Sequence, residues 1–140
     1  IMVYKMANTA DSMIGYRTPR YAEFGWAAAR FDDLINWIPA RISGGLICLA
    51  HGSAKAFLVM RRDAPLHRSP NAGWPESATA AIVGIAISGP RVYDGKKTCD
   101  PFVNPEGRFD LIPADIDRAV QVIWRAWALL IGVLGLVWIL

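Results

Sequence analysis

An all-α fold embedded in a membrane is what this sequence predicts, and three observations predict it. The chain has 140 residues, is 54% hydrophobic against about 45–50% in ordinary domains, and carries six tryptophans. Its last fifteen residues, Ala126 to Leu140, contain no charge. The polar residues gather in short blocks between apolar runs, so the expected architecture is helices joined by polar, motif-bearing loops.

Taken in order, Tyr4 to Ile14 reads as a helix that puts Asn8 and Asp11 on one face, three residues apart, and Gly15 is its stop signal. The stretch Ala22 to Ile38 reads as a second helix. At 100° per residue, Phe24, Ala27, Phe31, Leu34, Ile35 and Ile38 form one face and Arg30, Asp32, Asp33 and Asn36 the other, with Trp26 and Trp37 at the border. Pro39 is expected to break this helix and re-aim Arg41. Residues 42–60 are apolar apart from His51 and Lys55 and read as a membrane-buried helix, although a central charge costs about 2.5–3.5 kcal/mol to insert.

Ser77 to Ser88 reads as a helix packed within the protein, started by Pro75 and Glu76 and stopped by Gly89-Pro90. The stretch from Pro90 to Pro113 reads mostly as loop. Residues 120–140 are long enough for a bilayer span of about 20 residues, with Arg125 near the headgroups and Trp124 and Trp127 at the interface. A buried helix of a soluble bundle is the competing reading of that run. Arg61, Arg62 and Arg68 before the loop and Arg118 and Arg125 after it suggest that residues 61–125 are cytoplasmic.

The net charge of +3 comes from fifteen basic and twelve acidic residues that form no basic stripe, which argues against nucleic acid. Cys48 and Cys99 lack metal-ligand spacing and read as free thiols. His51 and His67 read as structural, and no nucleophile elbow, P-loop or dinucleotide fingerprint is present.

Chemistry must therefore come from the polar blocks, because unpaired polar groups cost about 2–7 kcal/mol to bury and a dense cluster of them calls for a ligand. The first block runs from Lys5 to Arg17, the second from Arg30 to Arg41, and the third from Arg68 to Glu76. Each has a bland alternative. Asn8, Thr9 and Ser12 could cap a helix end, and Arg30 and Asp33 could be a solvated pair. The Ser69-Pro70-Asn71-Ala72-Gly73 turn could be an ordinary start to the next helix, or an anion seat beside Arg68.

Four segments in fixed order carry a resemblance. Asn8-Thr9-Ala10-Asp11-Ser12-Met13-Ile14-Gly15-Tyr16, Phe24-Gly25-Trp26-Ala27-Ala28-Ala29-Arg30 with Asp32-Asp33, Pro39-Ala40-Arg41, and Arg68-Ser69-Pro70-Asn71-Ala72-Gly73 together resemble the adenosylcobinamide-phosphate synthase family (CobD/CbiB) of cobalamin biosynthesis. The likeness covers about residues 3 to 95, weakens from Asp94 to Asp110, and returns at Asp115-Ile116-Asp117-Arg118-Ala119. It implies a multi-pass protein of the cytoplasmic membrane, of which residues 1–140 form the C-terminal part of one domain packed against an N-terminal half.

The resemblance also implies an activity, an amide ligation of aminopropanol or its phosphate to adenosylcobyric acid, a corrinoid, with ATP and Mg²⁺ as the activating pair. Asp11, Asp32 and Asp33 are then the expected catalytic groups and the Mg²⁺ ligands, since the hard ion takes carboxylate oxygens. Asn8, Arg17, Arg30, Asn36, Arg41, Arg68 and Asn71 are the expected substrate-binding groups, the guanidiniums clamping phosphate oxygens. Trp26, Trp37 and Trp74 offer apolar surface to the corrin or adenine, or anchor at the membrane interface. All three blocks are expected to converge on one pocket beside the bilayer. The rival is a non-catalytic membrane sensor or structural protein resembling AmpE. A transporter fragment is a weaker third reading.

Overall fold

A computed structural model describes residues 1–14, 24–93 and 95–140. Its described residues are mostly helical and fall into two compact units, Ile1–Pro39 and Ala40–Leu140. Each is described by itself.

The first unit holds α1 (Met2–Ile14) and the N-terminal part of α2 (Phe24–Ala50). The expected stop of α1 at Gly15 lies outside the described residues, as does Arg17. The expected break at Pro39 is corrected: α2 runs through the proline to Ala50 without interruption. Proline removes one i→i−4 hydrogen bond, and a helix of 27 residues tolerates the loss. The boundary between the two compact units falls directly after Pro39.

The second unit contains the C-terminal part of α2, α3 (Ala54–Asp63), a single 3-10 turn at Ala64–Leu66, α4 (Gly73–Val83) and α5 (Pro113–Ile139). The expected single buried helix over residues 42–60 is also corrected. At His51-Gly52 the chain turns, Gly52 takes φ +57°, and Ser53 caps the next helix by accepting from the Ala56 N–H at 3.1 Å. A left-handed glycine followed by a serine cap is a stronger boundary than the apolar run on either side of it.

Helix α4 starts beside Pro75 as expected but stops earlier, at Gly84, whose φ of +78° and N–H bond to the Ala80 carbonyl at 2.9 Å make a left-handed C-cap. The chain then leaves the helix. The stretch from Pro90 to Pro113 is mostly loop, as expected, pinned by two short antiparallel ladders: β1 (Ile87–Ser88) pairs with β4 (Phe102–Val103), and β2 (Val92–Tyr93) with β3 (Lys96–Lys97). The fold is therefore mostly helical rather than all-α.

The core of the second unit collects Ile47, Cys48, Ala56, Met60, Ala78, Val122 and Ala126, with Trp74 packed against it. Close helix approach depends on Gly44, where a Cβ would lie 2.6 Å from the Met60 sulfur and 3.1 Å from the Trp74 carbonyl oxygen. Helix α5 touches this core near Val122 and Ala126 and then leaves it. Among the described residues it is the helix long and apolar enough to cross a membrane, and only 11% of its apolar window is buried. A core helix would be covered, and within these residues this one is not.

Candidate functional site

In the first unit the pattern of exposure is reversed from that of a water-soluble helix pair. On α2, Phe31, Leu34 and Ile38 are exposed, Leu34 at 71%, while Asp32, Asp33 and Asn36 on the opposite face are half-buried. On α1, Met6 and Met13 are exposed whereas Asn8 and Asp11 are half-buried. Water alone would favour the opposite arrangement, with the apolar residues covered and the carboxylates and amides exposed.

The polar face is tied by an exposed hydrogen bond from the Tyr4 hydroxyl to Asn36 Oδ1 at 2.7 Å, and Asn36 Nδ2 donates to the Asp32 carbonyl at 3.0 Å. Arg30 sits 3.7 Å from Asp33 as the i, i+3 spacing predicts, with its guanidinium 5.9 Å from the Trp26 ring centre. Three carboxylates share this region. Burial, followed by the charges of Asp32 and Asp33, pushes the Asp11 carboxyl above the ordinary range. Asp33 is also raised, chiefly by burial, with Arg30 opposing and Asp32 adding to the rise.

Asp32 Oδ1 is shut off from solvent and has no hydrogen-bond partner. A buried, unpartnered carboxylate oxygen beside two other carboxylates is the electrostatic environment a cation would relieve. No group of three His, Cys, Asp or Glu side chains already stands in metal-holding geometry among the described residues. The three carboxylates therefore form no protein cage for a metal; an ion such as Mg²⁺, which keeps several waters and uses one or two carboxylates together with ligand phosphates, would need only part of the set. Ser12 turns away from this group, its hydroxyl donating to the Asn8 carbonyl at 2.8 Å.

The second unit holds Arg41, Arg68 and Asn71. Because α2 continues past Pro39, Arg41 is carried to the third block, where its guanidinium stacks 4.6 Å from the Trp74 ring centre. Trp74 is fixed in turn by Nε1 donating to the Pro70 carbonyl at 3.2 Å. Ser69 organises the turn, its Oγ accepting from the Asn71 and Ala72 N–H groups at 3.3 and 3.2 Å. Asn71 is buried and Arg68 exposed. Gly73 is required here, since a Cβ would lie 2.6 Å from both the Ala64 carbonyl oxygen and the His67 Cβ.

His67 Nε2 lies 3.2 Å from Glu76 in the first turn of α4. The positive end of that helix therefore has a carboxylate of its own, which weakens the expectation of an anion seated directly on it.

Sequence reasoning missed a buried polar knot. Asp63 is 3% exposed and accepts from Arg62 Nε at 2.6 Å and from the Asn104 N–H at 2.7 Å. Asn104 Nδ2 donates to the carbonyls of Ile85 at 2.9 Å and Ala80 at 3.3 Å. Arg62 also pairs with Glu106. Asp115 forms a similar anchor at the start of α5, with Arg108, Arg118 and the Ile112 N–H converging on its carboxylate. The Asn104-Pro105-Glu106-Gly107 sequence was the available signal, because Asn tolerates the left-handed conformation it adopts here, φ +52°.

Among the described residues, a mostly helical fold with one helix long and apolar enough to cross a membrane is the class these observations define, and comparison narrows it. The chain matches the family described as CobD/Cbib protein over residues 1–123, and it belongs to that family. The match runs through residues 94–110, where the likeness by motif is weak. Among curated relatives, the "Cobalamin biosynthesis protein CobD" of Rhodobacter capsulatus is 50% identical over 142 residues, covering 96% of this chain and 44% of the relative. Its namesake in Brucella anthropi is 49% identical over 139 residues, covering 94% and 42%. That of Rhizobium meliloti (strain 1021) is 47% identical over 133 residues, covering 90% and 41%. The chain thus spans somewhat over two-fifths of the length of these relatives. No solved structure matches.

Proposed function

We propose that this chain is part of a cobalamin-biosynthesis ligase of the cytoplasmic membrane that joins the amine of aminopropanol, or of its phosphate, to a propionate carboxylate of adenosylcobyric acid. The observation that carries the reading is the inward set of Asp11, Asp32 and Asp33, with Asp32 Oδ1 buried and unpartnered. Membership of the CobD/Cbib family and relatives named for cobalamin biosynthesis support it. A multi-pass arrangement is part of the proposal, with α5 as one span.

Amide formation from a carboxylate and an ammonium ion is uphill in neutral water, so the acid needs activation and the amine must lose its protons. When bound with Mg²⁺, ATP would supply the phosphoryl group that makes the propionate carboxylate a competent acyl donor. The residues of this chain have separate tasks. Asp11, Asp32 and Asp33 would hold the cation, or one of the three would instead accept the proton released by the attacking amine while the others hold it. Arg30, Arg41 and Arg68 would bind phosphate or propionate oxygens, and Asn8, Asn36 and Asn71 would orient amide or phosphate groups. Arg17 is assigned to the same clamp from the sequence.

Membranes carrying the full-length protein test this when supplied with adenosylcobyric acid, aminopropanol phosphate and ATP. Asp33→Asn should lower cobinamide formation at least about 100-fold, the scale of a lost acid–base group. Undiminished synthesis removes Asp33 from the catalytic set, and no ATP-dependent product from the parent membranes overturns the ligase reading.

A further inference from the structure

His67 and Glu76 bracket the third polar block. The chain leaves its 3-10 turn at His67 and enters α4 at Gly73, and the turn between them carries Arg68 and Asn71 and leads into Trp74. We propose that His67, as the neutral ring with its proton on Nε2, is the positioning residue of this block: through Ser69 it fixes the turn that presents Arg68, Asn71 and the Arg41–Trp74 stack to the reactants. That role rests on the ligase reading, whereas the state of the ring rests on its contacts alone.

Three contacts assign the ring. The Ser69 N–H donates to Nδ1 at 3.1 Å, so that nitrogen carries a lone pair. Nε2 lies 3.2 Å from a carboxylate oxygen of Glu76, an acceptor that is satisfied when Nε2 holds the proton. The Ser69 carbonyl is 3.3 Å from Nδ1 and would suit a proton there instead, but the shorter N–H contact and the carboxylate on the far nitrogen agree on Nε2–H. Each nitrogen's partner thus sets the state of the other. The His67 side chain is 16% exposed, so water competes little for either contact.

What the ring holds is passed along the turn. Ser69 Oγ accepts from the Asn71 and Ala72 N–H groups, Trp74 Nε1 donates to the Pro70 carbonyl, and the Arg41 guanidinium stacks on the Trp74 ring. Gly73 lies against the His67 Cβ, so the base of the histidine also packs on the start of α4. A turn without a regular ladder takes its shape from such side-chain-to-backbone bonds. Displacing a reactant-binding group by about 1 Å can cost about 100-fold in rate, so a histidine that touches no reactant can still govern turnover. Glu76 gains a use here as well, since it orients the ring instead of leaving the helix end open.

The test joins nitrogen NMR of the imidazole, on the full-length protein in detergent, to kinetics of cobinamide synthesis in membranes. The signal that disappears in His67→Asn should show a protonated Nε2 and a bare Nδ1; a protonated Nδ1, alone or together with Nε2, overturns the proposal. Asparagine places Oδ1 near the Nδ1 position and keeps an acceptor for Ser69, whereas glutamine reaches toward Glu76 and leaves Ser69 without one. His67→Gln and His67→Ala should therefore raise KM at least about tenfold for adenosylcobyric acid or for the amine, with kcat within about threefold, and His67→Asn should stay within about threefold of the parent in both constants. Glu76→Ala should raise the same KM several-fold alone and no further in the His67→Asn background, because an amide has no tautomer to set. Equal damage in the asparagine and glutamine variants, or parental kinetics in His67→Ala, overturns the role. Hydrogen exchange over residues 68–74 covers a variant too damaged to assay: it should quicken in His67→Gln and not in His67→Asn while α5 exchanges as in the parent, and a quickening throughout the chain overturns a local role. Absent synthesis by the parent membranes is instead the failure of the ligase reading, and the NMR and exchange results then decide the hold of His67 on the turn.

Discussion

Replacing Asp63 by alanine should destabilise the second unit substantially, although Asp63 belongs to none of the polar blocks. The carboxylate is 3% exposed and holds both Arg62 and the Asn104 N–H. Removing it leaves that N–H buried without an acceptor, which costs about 1–3 kcal/mol. The lost ion pair adds less, about 0–1 kcal/mol, because the Arg62 side chain is 45% exposed and keeps Glu106. A total of about 1–4 kcal/mol follows, or a melting temperature lower by several degrees. Asp63→Asn keeps an acceptor for Asn104 and should cost about 1 kcal/mol, the scale of one lost charge-assisted contact. Thermal melting of the full-length protein in detergent, followed by near-ultraviolet circular dichroism, reads both. Burial raises the Asp63 carboxyl, but Arg62 and the Asn104 N–H outweigh it and the net direction is downward. The stabilising contribution is therefore complete above the unfolded value near pH 4 and lost as pH falls through the lower folded value. An alanine variant that melts within a degree of the parent, or an asparagine variant as damaged as the alanine one, refutes the argument.

Three other perturbations probe separate parts of the molecule. Gly107→Ala should destabilise by more than about 1–3 kcal/mol, the usual range for overpacking, since its Cβ would lie 2.5 Å from the Ile85 carbonyl carbon and 2.6 Å from Asn104 Nδ2; melting equal to the parent would contradict this. Asp11 and Asp33 have raised folded values, so their contribution to stability declines as pH rises past the unfolded value near pH 4. Asp32→Asn should soften that decline, leave melting at neutral pH equal or higher, and reduce the stabilisation given by millimolar magnesium; a lower melting temperature with the magnesium effect intact would count against the cluster. Ile131→Arg places a charge on the exposed apolar length of α5 and should cost about 2.5–3.5 kcal/mol on insertion, read as a shift from membrane-integrated to non-integrated product in a glycosylation reporter. A parent helix that fails to integrate would mean that α5 does not cross, and unchanged integration of the variant would contradict the stated cost.

Periodicity and composition made the long elements legible. Helix α5 follows from an apolar run longer than any soluble surface helix needs, and the faces of α2 follow from the spacing of Asp32, Asp33 and Asn36. Local backbone signals were harder to rank. Pro39 was given the weight of a break, yet a single missing N–H is tolerated within a long helix. Gly52-Ser53 was read as part of an apolar run, although a left-handed glycine and a serine cap together end one helix and start another. Gly84 lost to Gly89-Pro90 for the same reason. Asn104-Pro105-Glu106-Gly107 marks a turn, but its pairing with Asp63 and Arg62 is not legible, because they lie over forty residues away and no periodicity links them.

These corrections bear on function through Arg41. Had α2 stopped at Pro39, Arg41 would belong to a loop. In the continuous helix it is delivered to Trp74 at 4.6 Å, on a turn already fixed by Ser69 and Gly73. A guanidinium stacked on an indole keeps its edge donors available while losing little freedom on binding an anion, so the stack acts as preorganisation rather than as stability. The same reasoning explains why the apolar face of α2 is left outward at Leu34 and Ile38. A helix that offered that face to its own unit would turn Asp32 and Asp33 toward solvent, where the raised carboxyls and the unpartnered Asp32 oxygen could not persist. The stability forgone by leaving large side chains uncovered is recovered if lipid or another part of a longer chain covers them. The polar interior is then retained for a charged reactant, which links the reversed exposure of the first unit directly to its proposed chemistry.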